Sequence, residues 1–234
     1  MRSQDVRRSI RRSWTVIEEL GLAETFSYEM PLPVNDEFRD LALDLETRYE
    51  DLYLAGLRMS HYNFSLVDFS YFQFSITADD HVRYVYYPNP FIKSIEQDLG
   101  NIIDLRSLVA NGEVDDEEFL TILEPSERPE LRIPVIRYEN GPEQYRAFHH
   151  PCSHFHIGFQ AENRWPANRV LTPVAFTLLI MKYYYGSFWR DLGADGTDPF
   201  GNRYESSLAR EKTECALVDQ ALFSNAEARG FYFS

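Results

Sequence analysis

The chain predicts an α+β fold in which an antiparallel sheet is covered by helices from both ends of the sequence, and three observations lead there. Apolar residues recur at steps of three and four near the N-terminus and again beyond residue 173. The period falls to two at about 61–88 and 132–160, and Gly, Asn, Asp and Pro punctuate those segments where turns are needed. A length of 234 residues suits one domain, since roughly 100–200 residues per domain is usual. We expect a single α+β domain over 1–234, with 1–34 as a helical N-terminal extension.

Residues 3–20 set Val6, Ile10, Trp14, Ile17 and Leu20 on one helical face, and Gly21 suits the helix end. Pro31 and Pro33 deny 22–35 both helix and central strand, so it reads as an extended connection. A helix follows from Asn35 or Asp36 to about Leu57, striped by Phe38, Leu41, Leu45, Tyr49, Leu52 and Tyr53, with Asn35 as N-cap and Asp36 and Glu37 at the positive end of its dipole. Tyr62, Phe64 and Leu66, then Phe72, Phe74 and Ile76, alternate as strands do. Asp79-Asp80 is a turn candidate, and Val82–Tyr87 returns until Pro88 and Pro90.

Residues 91–124 turn helical, with a break at Asn111-Gly112 and a short acidic helix through Phe119 and Leu123. The charged stretch 125–130 reads as a loop. Ile133–Glu139 is a strand, Asn140-Gly141-Pro142 a turn, Tyr145–His149 a candidate antiparallel partner, and His154–Gln160 a further strand. Thr172-Pro173 places an N-cap before proline at the first helical position. The helix it opens, Val174–Tyr185, is apolar nearly all round and should be central, with Gly186 ending it. A last helix runs from about Ser206 to Ala228.

A net charge of −14 argues against broad sequence-independent nucleic-acid binding. The exception is Arg2, Arg7, Arg8, Arg11 and Arg12, which either form a solvated or internally paired helix face or meet an acidic partner, RNA or DNA. The longest apolar run, Val170–Met181, is shorter than the ~20 residues a bilayer crossing needs. No membrane association is expected, and the cytoplasm is the expected compartment. Cys152 and Cys215 read as reduced thiols. Phosphate-cradling G-x-x-x-x-G-K-[ST], dinucleotide G-x-G-x-x-G and paired C-x-x-C patterns are absent.

Chemistry concentrates at His149-His150-Pro151-Cys152-Ser153-His154-Phe155-His156-Ile157-Gly158, which holds four of six histidines. On a strand, Phe155, Ile157 and Phe159 share one face and His154, His156 and Gly158 the other, so both imidazoles reach one ion or one phosphate. Gly158 removes a side chain where something approaches, and His149 can fold back toward the pair. Three readings follow. The imidazoles ligate a metal together with Asp68 or Glu139; or they act as acid and base on a phosphate-bearing substrate, with Arg137, Arg164 or Arg169 bracing the charge; or they fix strand register by hydrogen bonding. Cys152 beside His150 or His154 is a further nucleophile candidate. Asp68, in the apolar phrase Ser65-Leu66-Val67-Asp68-Phe69-Ser70, needs a partner, and Arg83 or Arg137 would serve.

Together His61-Tyr62-Asn63-Phe64-Ser65-Leu66-Val67-Asp68-Phe69-Ser70, Arg83-Tyr84-Val85-Tyr86-Tyr87-Pro88-Asn89-Pro90, the H-P-x-S-H-x-H-x-G stretch and the Thr172-Pro173 helix resemble an uncharacterised bacterial family, domain of unknown function 2290, over about residues 40–190. That resemblance implies no activity. A looser likeness to small bacterial toxins, in which an Arg-Tyr strand precedes a histidine-rich segment, implies a defence or toxin-antitoxin setting.

The leading expectation is a histidine-bearing sheet face that binds or cleaves a phosphate-containing substrate, RNA or a nucleotide. His154 and His156 would be acid and base, Asp68 their orienting carboxylate, and Arg137, Arg169 and His149 the substrate contacts. The alternative is a non-catalytic acidic adaptor or antitoxin-like module that holds a protein partner with its tyrosines and basic first helix. Cofactor, metal and oligomeric state are left open.

Overall fold

Among the described residues, seven strands form one antiparallel sheet whose spatial order is also the chain order: β1 (Ala23–Phe26), β2 (Phe64–Leu66), β3 (Tyr71–Ile76), β4 (Val82–Tyr87), β5 (Ile136–Asn140), β6 (Ser153–Ile157) and β7 (Trp165–Pro166). The structure is a computed structural model describing residues 3–76, 81–92, 108–109, 111–115 and 133–231. The α-helices among the described residues are α1 (Ser3–Glu19), α2 (Asp36–Leu43), α3 (Tyr49–Arg58), α4 (Pro173–Tyr184), α5 (Gly186–Gly193), α6 (Arg203–Glu214) and α7 (Asn225–Phe231). The fold is α+β, as the patterning predicts.

Period-two alternation gives the sheet two unlike faces. Phe72, Phe74, Val82, Tyr84, Tyr86, Ile136 and Tyr138 point to the side where α1 and α4 lie, and they pack on Val6, Ile10, Ile17, Phe176, Leu178 and Met181. The opposite face carries Tyr71, Val85 and Tyr87 against Phe38, Tyr49, Leu52 and Tyr53 of α2 and α3. Fully buried aromatics bring on the order of 150–250 Å² each, so rings dominate both interfaces.

The caps explain where helices begin. Asn35 Oδ1 accepts from Phe38 N at 3.0 Å, and Thr172 Oγ1 accepts from Ala175 N at 3.1 Å. Ser9 Oγ accepts from Val174 N at 3.1 Å, so α1 also supports the first turn of α4. Residues 3–34 are thus part of the body: α1 fills the core, and β1 extends the sheet beside β2. Arg7 and Arg11 reach Glu29, and Arg12 reaches the buried Glu211, so these three are paired internally.

Several boundaries differ from the sequence reading. The helix expected over 36–57 is two, because Asp44 leaves helical geometry and its carboxylate accepts from Glu46 N and Thr47 Oγ1, a local turn that ends α2. Leu45, expected in the apolar stripe, is consequently exposed. Residues 145–149 form a turn closed by His150 N donating to Arg146 O at 2.8 Å, and β5 pairs with β6 instead. Gly186 opens α5, and the last helix is interrupted at Cys215, whose residue is extended. The Asn111-Gly112 break is a turn with Gly112 at φ 72°. The expectations for 79–80, for the helical segments within 93–107 and 116–124, and for the loop 125–130 lie outside the described residues.

Gly56 shows how tightly α3 meets the sheet. A Cβ there collides with the Tyr71 hydroxyl and lies 3.2 Å from the Phe38 ring. Gly56→Ala gains about 1 kcal/mol of helix propensity but meets an overpacking cost of roughly 1–3 kcal/mol. Urea unfolding should therefore show net destabilisation, and a more stable variant would contradict this packing.

Candidate metal and anion site

Strand register assembles the site. Arg83, Glu139 and His154 stand in one cross-strand row on β4, β5 and β6, and Val85, Arg137 and His156 occupy the next row. All lie on the face away from Tyr84, Tyr138 and Phe155. The strand ends at Ile157, and Gly158, at φ 112°, turns the chain back. Gly158 is therefore a chain-reversal residue, and Phe159 packs at a tilt against Tyr49 of the α2–α3 cluster, ring centroids 5.4 Å apart.

That reversal buries both imidazoles, His154 at 1% and His156 at 2% exposure. His154 Nδ1 lies 2.8 Å from Pro151 O, and His156 Nδ1 lies 2.9 Å from Ala161 O. A carbonyl oxygen can only accept, so each Nδ1 carries the proton and each Nε2 of a neutral ring is a bare acceptor. The two Nε2 atoms face each other at 3.0 Å. Burial, and then the like charge of its neighbour, pushes His154 down to about 4. Burial, and then Arg137, takes His156 to about 4. Both rings are therefore neutral at pH 7.

Glu139 completes the cluster. Its Oε2 is 3.9 Å from His154 Nε2 and 3.8 Å from His156 Nε2, while its Oε1 is 3.1 Å from Arg137 Nε and 3.6 Å from Arg83 Nε. Burial alone raises this carboxyl, yet the Arg137 and Arg83 guanidiniums outweigh it and hold it below the usual carboxylate range. Glu139, His154 and His156 are the group of potential metal ligands among the described residues. Glu139 also lines a cleft of about 330 Å³, together with Arg83, His61, His81, Gln73 and Phe38.

Of the residues singled out from sequence, His154, His156, Arg137 and Glu139 come together, and Asp68, Arg169 and His149 do not join them. Asp68 is fully buried in the β2–β3 turn, where its carboxylate accepts from Tyr185 Oη at 2.8 Å and Ser70 N at 3.0 Å. It orients no histidine, and neither Arg83 nor Arg137 is its partner. Arg169 is a clasp for the C-terminal segment, donating from Nη1 to Cys215 O at 2.7 Å. His149 is exposed on the 146–149 turn, and His150 instead packs edge-on against His154 with ring centroids 5.0 Å apart. Arg164 is exposed and donates to Glu162 O. Cys152 is buried with its thiol pushed up to about 11 by burial, which is wrong for a nucleophile.

His61, His81 and the site role of Arg83 escaped the sequence reading. For Arg83 a usable signal was present: Arg83-Tyr84 and Arg137-Tyr138 repeat one phrase on two strands, and those strands are neighbours.

Fold and site together define an α+β protein with a carboxylate and two imidazoles converging beside an arginine-lined cleft. The chain belongs to the family described as "Uncharacterized conserved protein (DUF2290)", whose model matches residues 32–233, a wider span than the motifs alone carry. No curated protein and no solved structure matches the chain. No helix among the described residues is long and apolar enough to cross a membrane.

Proposed function

We propose that this protein hydrolyses a phosphate-containing substrate, RNA or a nucleotide, bound in the cleft beside Glu139, in the setting of a bacterial defence or toxin system. One observation carries this reading: Arg83 and Arg137 share the single carboxylate of Glu139, leaving one positive charge in surplus beside a cleft that Arg83 and Glu139 line, in a chain whose net charge is −14. Two guanidiniums on one anion fit a phosphate, which accepts their remaining N–H donors. The imidazole pair and Glu139 supply three proton-accepting atoms within reach of one another.

In hydrolysis a water oxygen forms a new bond to phosphorus. The ester P–O bond breaks with its electron pair on the leaving oxygen, and that oxygen takes up the proton that water gave up. With both Nδ1 atoms tied to carbonyls and the Nε2 atoms facing each other, a separate acid and base on His154 and His156 is not the arrangement this geometry favours. The centre acts as a unit. The adaptor reading loses support from the internal pairing of Arg7, Arg11 and Arg12 and from the burial of Tyr49, Tyr53, Tyr71, Tyr84, Tyr86, Tyr87, Tyr138, Tyr185 and Tyr204.

The test compares wild type with Arg137→Gln and Glu139→Gln on bis(p-nitrophenyl) phosphate, ATP and a single-stranded RNA oligonucleotide. Turnover of at least one substrate by wild type is expected, with a loss of about tenfold or more in kcat/KM for each folded variant, in line with removal of a charge-stabilising contact. Neither turnover nor binding of any of the three would sink the reading and leave the adaptor in its place.

A further inference from the structure

We infer that Glu139, His154 and His156 form a binding site for one first-row divalent transition metal of the zinc class. Use of this ion in catalysis rests on the hydrolase reading above, but the existence of the site does not.

The argument is one of hydrogen-bond accounting. Each imidazole spends its Nδ1 proton on a backbone carbonyl, Pro151 O for His154 and Ala161 O for His156. The two Nε2 lone pairs then face each other at 3.0 Å inside a buried pocket. Without an ion or an added proton between the rings, the pair has two arrangements. Either the bare nitrogens repel, or one ring moves its proton to Nε2 and turns a bare Nδ1 onto a carbonyl oxygen. Both leave acceptor against acceptor, which buried polar groups avoid. A cation between the rings satisfies all of these atoms at once. Imidazoles whose far nitrogen donates to a backbone carbonyl while the near one faces an ion are the usual outer-shell arrangement of metal-bound histidine.

The distances agree. His154 Nε2, His156 Nε2 and Glu139 Oε2 form a triangle with sides of 3.0, 3.9 and 3.8 Å. Its centre lies about 2.1 Å from every corner, the length of a Zn–N or Zn–O bond, roughly 2.0–2.2 Å. Arg137 and Arg83 engage Oε1 and leave Oε2 turned toward the imidazoles. Three protein donors in one plane leave positions on either side of it for water, the open coordination of a catalytic rather than a structural zinc. Two nitrogens and one oxygen select zinc, or iron, cobalt or nickel, over magnesium and calcium, which favour all-oxygen shells. Such an ion lowers the pKa of bound water to about 7, supplying hydroxide for the hydrolysis proposed above.

Tag-free full-length protein, stripped with a chelator and dialysed, is titrated calorimetrically with Zn2+ and, separately, Mg2+. One Zn2+ per chain and no stoichiometric Mg2+ are expected. The His154→Asn/His156→Gln double variant should bind Zn2+ at least about a hundredfold more weakly and Glu139→Gln at least about tenfold more weakly, with circular dichroism unchanged. If the double variant fails to fold, Co2+ loading of wild type decides. Visible d–d bands without a near-ultraviolet thiolate charge-transfer band support the site, and a thiolate band overturns it. Absence of stoichiometric Zn2+ in wild type, or undiminished binding by a folded double variant, also overturns it. Metal binding that depends on these residues without phosphate hydrolysis refutes only the hydrolase reading. Hydrolysis that survives chelation refutes only the ion's use in catalysis.

Discussion

Asn63→Ala is expected to lower unfolding free energy by about 4 kcal/mol. Asn63 is fully buried, and its side chain closes a gap in the sheet: Nδ2 donates to Tyr28 O and Met30 O at 2.8 Å each, and Oδ1 accepts from Phe74 N at 2.7 Å. It thereby continues the β2–β3 ladder past the end of β2 and fastens the proline-bearing connection alongside β3. Alanine strips partners from three backbone groups, and a buried group left unsatisfied costs roughly 1–3 kcal/mol. The carbonyls of the more exposed Tyr28 and Met30 recover part of this from water, while Phe74 N cannot. Asn63→Asp should be similarly damaging, because its second oxygen meets two carbonyl oxygens. Urea unfolding is the measurement, and a loss under 1 kcal/mol for Asn63→Ala would show that the side chain does not brace the sheet.

The second large effect is a steep loss of stability on mild acidification. His154 and His156 are both held down to about 4, chiefly by burial, whereas in the unfolded chain they titrate near 6.5. Between those values the unfolded state binds up to two more protons than the folded one, so stability rises with pH across the window. It is fully present above about 6.5 and lost as pH falls toward 4, with a slope that approaches about 2.7 kcal/mol per pH unit when two protons are involved. His61 and His150, also lowered by burial, act in the same direction. Denaturant unfolding at pH 7, 6 and 5.5 in the presence of a chelator tests this above the carboxylate range. The slope should flatten in the folded His154→Asn/His156→Gln variant, and an unchanged slope would refute the assignment.

The elements whose signals are local were legible in the sequence. Val6, Ile10 and Ile17 face the core from one side of α1, Asn35 and Thr172 cap the helices they precede, and Phe72 and Phe74 alternate into the core as their spacing requires. Edge strands were not legible, since β1 and the two-residue β7 carry too few residues to show a period. The break at Asp44 was hidden because apolar spacing carries straight across it. The histidine pair could be read from i, i+2 spacing. Its carboxylate could not be chosen between Asp68 and Glu139, because that choice depends on which strands are neighbours. Placing 145–149 beside β5 would have separated Glu139 from His154, whereas the actual register puts them opposite each other. Asp68 drew attention for a sound reason, a carboxylate in an apolar phrase, but its need is met by Tyr185 from the far end of the chain.

One hairpin encodes the whole donor set. Glu139 stands on β5 and His154 and His156 on β6, joined through residues 141–152. The entropy of gathering groups along a chain grows with the length that separates them, and here that length is a single short excursion. The geometry is thus inherited from one stretch of ladder, and its connection is braced by the last helix, where Glu227 accepts from Tyr145 Oη at 2.8 Å and from Phe148 N at 3.0 Å.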